Sequence, residues 1–488
     1  MEYDAIVIGA GVVGPCVATA LARQGKTVMI VERDWSEPKD RVVGELMQPA
    51  GLKALRELGM IQAVNGIGAV PVTGYYIKFG QDSVQIDYPA KSDVDASVRP
   101  VPCCVSNGND KMRTDDKALD AAEWDADPHV RGVALQHGKF LMNLRAIVRA
   151  EKNVTAVEGT ATAVVRDEHA SDLVRGVRVK LADGSVETYH AKTTFACDGI
   201  YSKFRREHAA DYVPKIGSYF VALALHGCKL PAPGRGHVIL GDHAPVLAYQ
   251  VSSDETRMLC AHRGARPPSA SNDDFFDYLR RDVAPNLPEG MRASFDECVA
   301  SRKFRALPNQ YLSAERQAKN RGFIMIGDSL NMRHPLTGGG MTVGLNDTVL
   351  LMRLLQGVDL GDHSEVRARL LQFHAQRKKL DAVVNTLSIA LYSLFAADRA
   401  GLRVLQDGCF KYFQLGGDCV RGPIGLLSGM LPYPMLLFSH FFSVAFYGVY
   451  CNFVRRGVSG FLLAMWEAID ALFSAVMLFT PYLWRELV

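Results

Sequence analysis

The chain has 488 residues, 48% of them hydrophobic, and its 55 Lys and Arg nearly balance 52 Asp and Glu, for a formal charge of +3. That length holds two or three domains with a large buried core, the composition excludes a disordered protein, and the small charge gives no electrostatic case for nucleic acid. Ten cysteines are scattered without a C-x-x-C spacing, so no metal site is expected and they read as reduced thiols.

The first predicted unit is a strand from Asp4 to Ile8, a glycine turn, a helix to about Gln24 and a second strand from Thr27 to Val31, a βαβ opening. Within it "GAGVVG" puts Gly9, Gly11 and Gly14 at G-x-G-x-x-G spacing. Small residues there allow a tight turn and let amides at a helix N-terminus approach a pyrophosphate. Glu32 ends the second strand, where a carboxylate accepts hydrogen bonds from a ribose hydroxyl. The strand starts beside Met1 with no basic, apolar, small-residue layout, so the body of the protein is expected to face the cytosol.

"RVVGELMQPAGLKALRELGM" predicts a loop and a short amphipathic helix with Gly59 at its C-cap, followed by strands in "VTGYYIKF" and "SVQIDYP". Residues 106–128 are polar and acidic and read as a surface loop. A helix near 138–151 and strands around 154–165, 174–181 and 186–196 lead into "CDGIYSKFR", which sets Asp198 and Gly199 after a strand. Strands return from 217 to 262. An α/β unit interrupted by a second sheet predicts interleaved domains. The expected fold class is α/β: a Rossmann-like domain over 1–69, 131–216 and 320–365, a mixed β-sheet domain over 70–130 and 217–319, and a C-terminal helical region over 366–488.

In that last region Met435 to Val454 carries no Asp, Glu, Lys or Arg, about the length of a bilayer span. Ser439, His440, Ser443 and Asn452 interrupt it, and the next apolar stretch, 459–484, contains Glu467 and Asp470. The reading is a membrane-associated pair of helices lying in or dipping into one leaflet. An ordinary buried helical pair is the alternative.

A glycine turn does not separate FAD from NAD, but "GDSLNMRHPLTGGGMTV" at 327–343 does, because FAD needs a second site for its flavin half far along the chain. Asp328 closes a strand and can accept from ribityl hydroxyls. Gly338, Gly339 and Gly340 let a flavin ring approach the backbone. Met341 heads a helix whose N-terminus stabilises negative charge on reduced flavin. With Asp198 as a third element, these junctions point to an FAD oxidoreductase.

The set "GAGVVG", "CDG" and "GD" resembles the FAD-dependent monooxygenases built like para-hydroxybenzoate hydroxylase. Within that group "DRVVGELMQPAG" at 40–51, "NMRHPLTGGGMTV" at 331–343 and "KYFQLGGDCVRGPIGLLSG" at 411–429 are similar to squalene epoxidases. The resemblance implies FAD as cofactor and NADPH as electron source through NADPH-cytochrome P450 reductase. It implies O2-dependent conversion of squalene to (3S)-2,3-oxidosqualene through a flavin C4a-hydroperoxide, a step of sterol biosynthesis at the endoplasmic reticulum membrane. Membrane lipid is then a partner through the C-terminal helices, which must carry the attachment because the first strand leaves no room for the N-terminal segment of animal members.

By the same resemblance FAD contacts are Val12 and Val13, Glu32 and Arg33, Arg41 and Leu46, Asp328 and Met341, with Val154 as an adenine-side backbone contact. Lys139 stands in "QHGKF" where the family has Arg, keeping the charge and losing the bidentate fork. Gln48 and Tyr75 line the substrate end of the flavin as orienting residues. His334, before Pro335, is expected to orient backbone rather than to move protons. Other isoprenoid-acting flavoproteins, such as geranylgeranyl reductases or ring hydroxylases, and non-enzymatic prenyl-protein escort proteins of the same fold are the competing readings.

Overall fold

A computed structural model describes residues 2–38, 44–102, 127–208, 211–262, 266–269, 273–317 and 319–487. Arg41 and most of the polar stretch 106–128 lie outside the described residues. The chain order opens with β1 (Glu2–Ile8), α1 (Val13–Arg23) and β2 (Val28–Glu32), then short β3 (Leu46–Met47), α2 (Pro49–Glu57), β4 (Val70–Val72), the hairpin β5 (Gly74–Phe79) and β6 (Asp82–Asp87), β7 (Gly132–Ala134) and α3 (His137–Ala150). Three long strands follow, β8 (Val154–Arg166), β9 (Val174–Leu181) and β10 (Val186–Ala196).

Parallel pairing runs β8–β2–β1–β10, with β16 (Phe323–Met325) beyond β10. Strands buried on both faces are apolar throughout, and Ala5 to Ile8 and Val28 to Val31 fit that rule in the core. The outer halves of β8 and β10 extend past this layer and pair antiparallel with β9. α1 and α3 pack against one another beside the layer.

The second sheet has the order β15 (Arg305–Tyr311), β11 (Lys215–His226), β14 (Glu255–His262), β13 (Val246–Gln250), β12 (Gly236–Leu240), β5, β6. Its period of two decides what each face touches. Along β11, Val221, Leu223 and Leu225 join a core with Met291, Phe295 and Val299 of α4 (Glu289–Ser301), whereas Phe220 and Ala222 face the core shared with the C-terminal helices.

The remaining helices are α5 (Gly339–Leu354), α6 (His363–Ala396), α7 (Ala400–Gln414), α8 (Asp418–Leu427), α9 (Pro434–Arg456) and α10 (Phe461–Leu487). The 34 residues of α6 make a rod about 50 Å long. Asp362 caps it, accepting from the backbone N–H of Ser364 and Glu365 at 3.1 Å each. Val366, Leu370 and Phe373 sit in the core of the first sheet, and Leu394 and Phe395 in that of the second, so one helix joins both bodies.

Among the described residues three helices, α6, α9 and α10, are long and apolar enough to cross a membrane by length and composition. α6 is the most enclosed of them, with 61% of its apolar window buried. α9 and α10 pack on each other and on α7, while their outer faces present Met435, Phe446, Tyr450, Leu462, Trp466 and Phe473. At one end of this hairpin Glu467 accepts from Asn452 Nδ2 at 2.9 Å and Arg456 Nε at 3.1 Å.

Candidate active site

Three strand ends meet at the carboxyl edge of the parallel layer. Gly9, at φ +98°, lies against the second: a Cβ there would stand 2.7 Å from the Cys197 carbonyl oxygen and 3.3 Å from Asp198 Cα. Only glycine tolerates that conformation and that approach together. The third junction closes on the same turn, since Cβ atoms on Gly327 and Gly344 would lie 3.1 and 2.8 Å from Val13 Cγ2. Gly9, Gly14, Val13, Asp198 and Asp328 are therefore neighbours, although they come from positions more than three hundred residues apart. Gly11 faces open space.

Buried Arg205 ties two of these ends. Its Nη2 donates to the carbonyls of Gly199 and Ile200, each at 3.2 Å, and of Asp328 at 3.0 Å, and its Nε donates to Ser329 O at 3.0 Å. Burial pushes the Asp198 carboxyl above its ordinary range; Oδ2 accepts from Lys203 N–H at 2.9 Å. Glu32 ends β2 beside the glycine turn, with Oε2 accepting from Ala10 N–H at 2.7 Å. Buried Arg145 donates to Ala10 O at 3.0 Å and Ser36 O at 2.7 Å, and approaches Glu32 at 3.9 Å.

Arg33 is exposed next to Glu32, and Lys139 is exposed in the first turn of α3, which adjoins Pro38: a Cβ on Gly138 would meet Pro38 O at 3.1 Å. Among the described residues, Arg145 reaches the glycine turn directly. Val154 opens β8. It pairs with Val28, whereas Glu32 pairs with Glu158, so Val154 stands four residues, about 13 Å, from the strand end where the other candidates gather. The residues at that end of β8 begin at Glu158.

A second group continues from the third junction. Gly338, at φ +62°, packs so that a Cβ would lie 2.7 Å from Leu46 O and 3.5 Å from Gln48 Nε2. Gln48 donates to Tyr75 OH at 2.7 Å and to Thr337 O at 2.6 Å, and accepts from Tyr88 OH at 2.5 Å. Leu46, Gln48, Tyr75 and Gly338 thus form one buried cluster, with Tyr88 as a member that carried no signal in its own segment. Gly340 faces open space, and Gly340 and Met341 lie in the first turn of α5.

Two cavities adjoin this cluster. One, the smaller, is bounded by Gly44, Leu46, Tyr75, His237, Tyr249 and Gly338 among others. The other is walled by Ile77, Val238, Leu391, Phe395, Phe413, Ile424 and Leu427. Tyr75, Leu247 and Leu336 border both. Behind the smaller one, buried Glu45 accepts from Arg257 Nε at 2.6 Å; burial holds its carboxyl above the ordinary range against the pull of Arg257.

His334 orients backbone. Its Nδ1 accepts from Leu336 N–H at 3.2 Å, its Nε2 is 3.2 Å from Ser218 Oγ, and its ring stacks on Tyr392 at 4.0 Å. Burial lowers its pKa from 6.5 to about 3. The folded state keeps the ring neutral where the unfolded chain takes up a proton. This contribution to stability is complete above pH 6.5. It falls with pH below that by up to about 1.4 kcal/mol per unit. Urea midpoints at pH 7 and pH 5 are expected to differ less in His334→Gln than in the wild type; equal losses would refute the assignment.

A squalene epoxidase family model matches residues 190–466. Squalene epoxidase of Candida albicans is 59% identical over 100% of this chain and 99% of that protein, and that of Saccharomyces cerevisiae 51% over 100% and 97%. Squalene monooxygenase of Mus musculus is 35% identical over 100% of this chain and 78% of its own length. Among solved structures, a probable FAD-dependent monooxygenase of Pseudomonas aeruginosa aligns with TM-score 0.62 at 18% identity, covering 81% of this chain and 97% of that one. A p-nitrophenol 4-monooxygenase of Pseudomonas putida aligns with TM-score 0.65 at 16% identity, covering 90% and 99%. The fold is that of the FAD-dependent monooxygenases, and the chain belongs to the squalene epoxidase family.

Proposed function

We propose that this protein is an FAD-dependent monooxygenase that epoxidises squalene to (3S)-2,3-oxidosqualene with O2 and NADPH-derived electrons delivered by NADPH-cytochrome P450 reductase. The observation that carries this is the apolar cavity that shares Tyr75, Leu247 and Leu336 with the smaller cavity lined by Gly338 of the glycine run. Residues 1–69, 131–216 and 320–365 form the FAD-binding domain, and 70–130 with 217–319 the substrate sheet. The open space at Gly11 and Gly340 fits the two ends of a dinucleotide. Glu32 and Arg33 hold its ribose side, Asp198 and Asp328 the ribityl and phosphate side, and Leu46 with Gly338 to Met341 the flavin. Bound FAD supplies the oxygen activation.

The chain's own residues supply position and dryness. Gln48 fixes the Tyr75 hydroxyl, which bounds the approach of a terminal alkene. Walls such as Leu391, Phe395 and Phe413 exclude water and hold the rest of the triterpene. α9 and α10 lie along the body through α7 with their apolar faces outward. That supports helices resting in one leaflet of the endoplasmic reticulum membrane, with substrate entering from the lipid.

The test is formation of oxidosqualene by purified protein in detergent with reductase and NADPH. Asp328→Ala should lose flavin and activity together. Wild-type protein that carries flavin and makes no epoxide would defeat the reading, as would an Asp328→Ala variant with full flavin and full activity.

A further inference from the structure

Buried polar groups outside the two clusters above concentrate along α6. Arg333, in the loop before the glycine run, donates through Nη1 to the carbonyls of Gly339 and Gly340, each at 3.3 Å, through Nη2 to Asn331 O at 3.0 Å, and through Nε to Asn385 Oδ1 at 2.7 Å. Asn385 lies on α6. The adjacent Val384 packs against the run itself: a Cβ on Gly339 would meet Val384 Cγ1 at 2.4 Å. Two, six and ten residues further along the same helix, Leu387, Leu391 and Phe395 line the large apolar cavity. The fold of the run therefore depends, through Arg333, on the helix that forms the cavity wall.

We infer that Arg333 is a positioning residue which, through Asn385, couples occupancy of the apolar cavity to the seating of the glycine run against the flavin. This rests on the flavoenzyme reading above. A hydrocarbon in the cavity presses on Leu387, Leu391 and Phe395 and sets α6. Asn385 then holds the guanidinium, and the guanidinium holds the Gly339 and Gly340 carbonyls at the head of α5. An apolar ligand with no polar atom thereby reaches a polar site through one rigid element. Such coupling is reciprocal, so whatever squalene does for FAD affinity, FAD does for squalene.

Full-length protein in detergent, stripped of flavin, is titrated with FAD by quenching of flavin fluorescence with and without saturating squalene. In wild type, squalene should tighten FAD binding about fivefold or more. In Asn385→Leu, FAD should still bind and the ratio should fall to about one. In Asn385→Asp, which retains an acceptor for Arg333 Nε, the wild-type ratio should return, a rescue that a merely structural role for the residue would not produce. If Asn385→Leu does not fold, Asn385→Ser, too short to reach Arg333, is read the same way. An unchanged ratio in the Leu or Ser variant, or no squalene effect in wild type that binds FAD, overturns the coupling alone. Wild type that binds no FAD overturns the flavoenzyme reading and the coupling with it.

Discussion

Arg377→Met is expected to destabilise the fold by about 3–5 kcal/mol. Arg377 is enclosed between α5 and α6. Its Nε and Nη2 donate to the two oxygens of Asp347 at 3.0 and 2.6 Å, and Nη1 donates to Asp381. All three side chains are at most 5% exposed. Burial, and less strongly the neighbouring Asp381 charge, raise the Asp347 carboxyl, and the guanidinium is the principal force opposing that rise. Without it two carboxylates stay buried with only the more distant Arg333 guanidinium to offset them, a charge too remote to replace the direct contacts. A differential-scanning experiment should read a fall in thermal midpoint on the order of 5 °C or more. Arg377→Lys should recover only part, because an ammonium cannot make the two-pronged contact to Asp347. Arg377→Met with Asp347→Asn should be less destabilised than the sum of the single changes; strict additivity would show that the pair does not interact as described.

Gly14→Ala is expected to weaken FAD binding about 30- to 140-fold, the equivalent of about 2–3 kcal/mol of overpacking. The added Cβ would lie 1.8 Å from the Gly9 carbonyl oxygen and 3.0 Å from its carbon. Both are backbone atoms, and Gly9 is itself held against Cys197 and Asp198, so the strain cannot be relieved by rotating a side chain. The first turn of α1 must move off the strand end, and with it the amides that would face a pyrophosphate. The measurement is retained flavin absorbance after gel filtration, with circular dichroism to establish that the sheets persist. Gly11→Ala is the informative contrast. Nothing protein-borne stands within 4 Å of its Cβ, so it should leave the thermal midpoint of the flavin-free protein unchanged. If Gly14→Ala retains flavin as wild type does, the turn is not the cradle argued here.

Local periodicity carried much of this architecture before any coordinates. The strands β8, β9 and β10 and the helix α3 fall within one residue of their expected bounds, because buried apolar runs and turn residues are local signals. The three junctions were legible for the same reason: each is a strand followed by glycine or Asp-Gly. What was not legible is which strand ends lie side by side. That Val154 lies beside Val28 and Glu158 beside Glu32 is decided by sheet order and register, which sequence pattern does not contain. Arg145 and Arg205 were missed as anchors because an Arg that will be buried by partners more than one hundred residues away, as Arg145 is by Ala10 and Arg205 by Ser329, is spelled like a solvated one; Arg333 was missed because its side-chain partner Asn385 lies on a separate helix, 52 residues on. Tyr88 entered the Gln48 cluster for a similar reason, through the pairing of β5 with β6.

The order of strands in the first sheet also bears on how the protein comes into being. β1 is completed only by residues 190–196 and β10 only by residues 323–325. At ribosomal speeds that interval is on the order of 20 to 60 s. Throughout it the first sheet lacks part of its native pairing, first beside β1 and then beside β10, so the nascent chain depends on being shielded while it waits. Stop codons placed just before and just after residue 325 should therefore separate chains by chaperone association and protease resistance more sharply than truncations placed in the later helices.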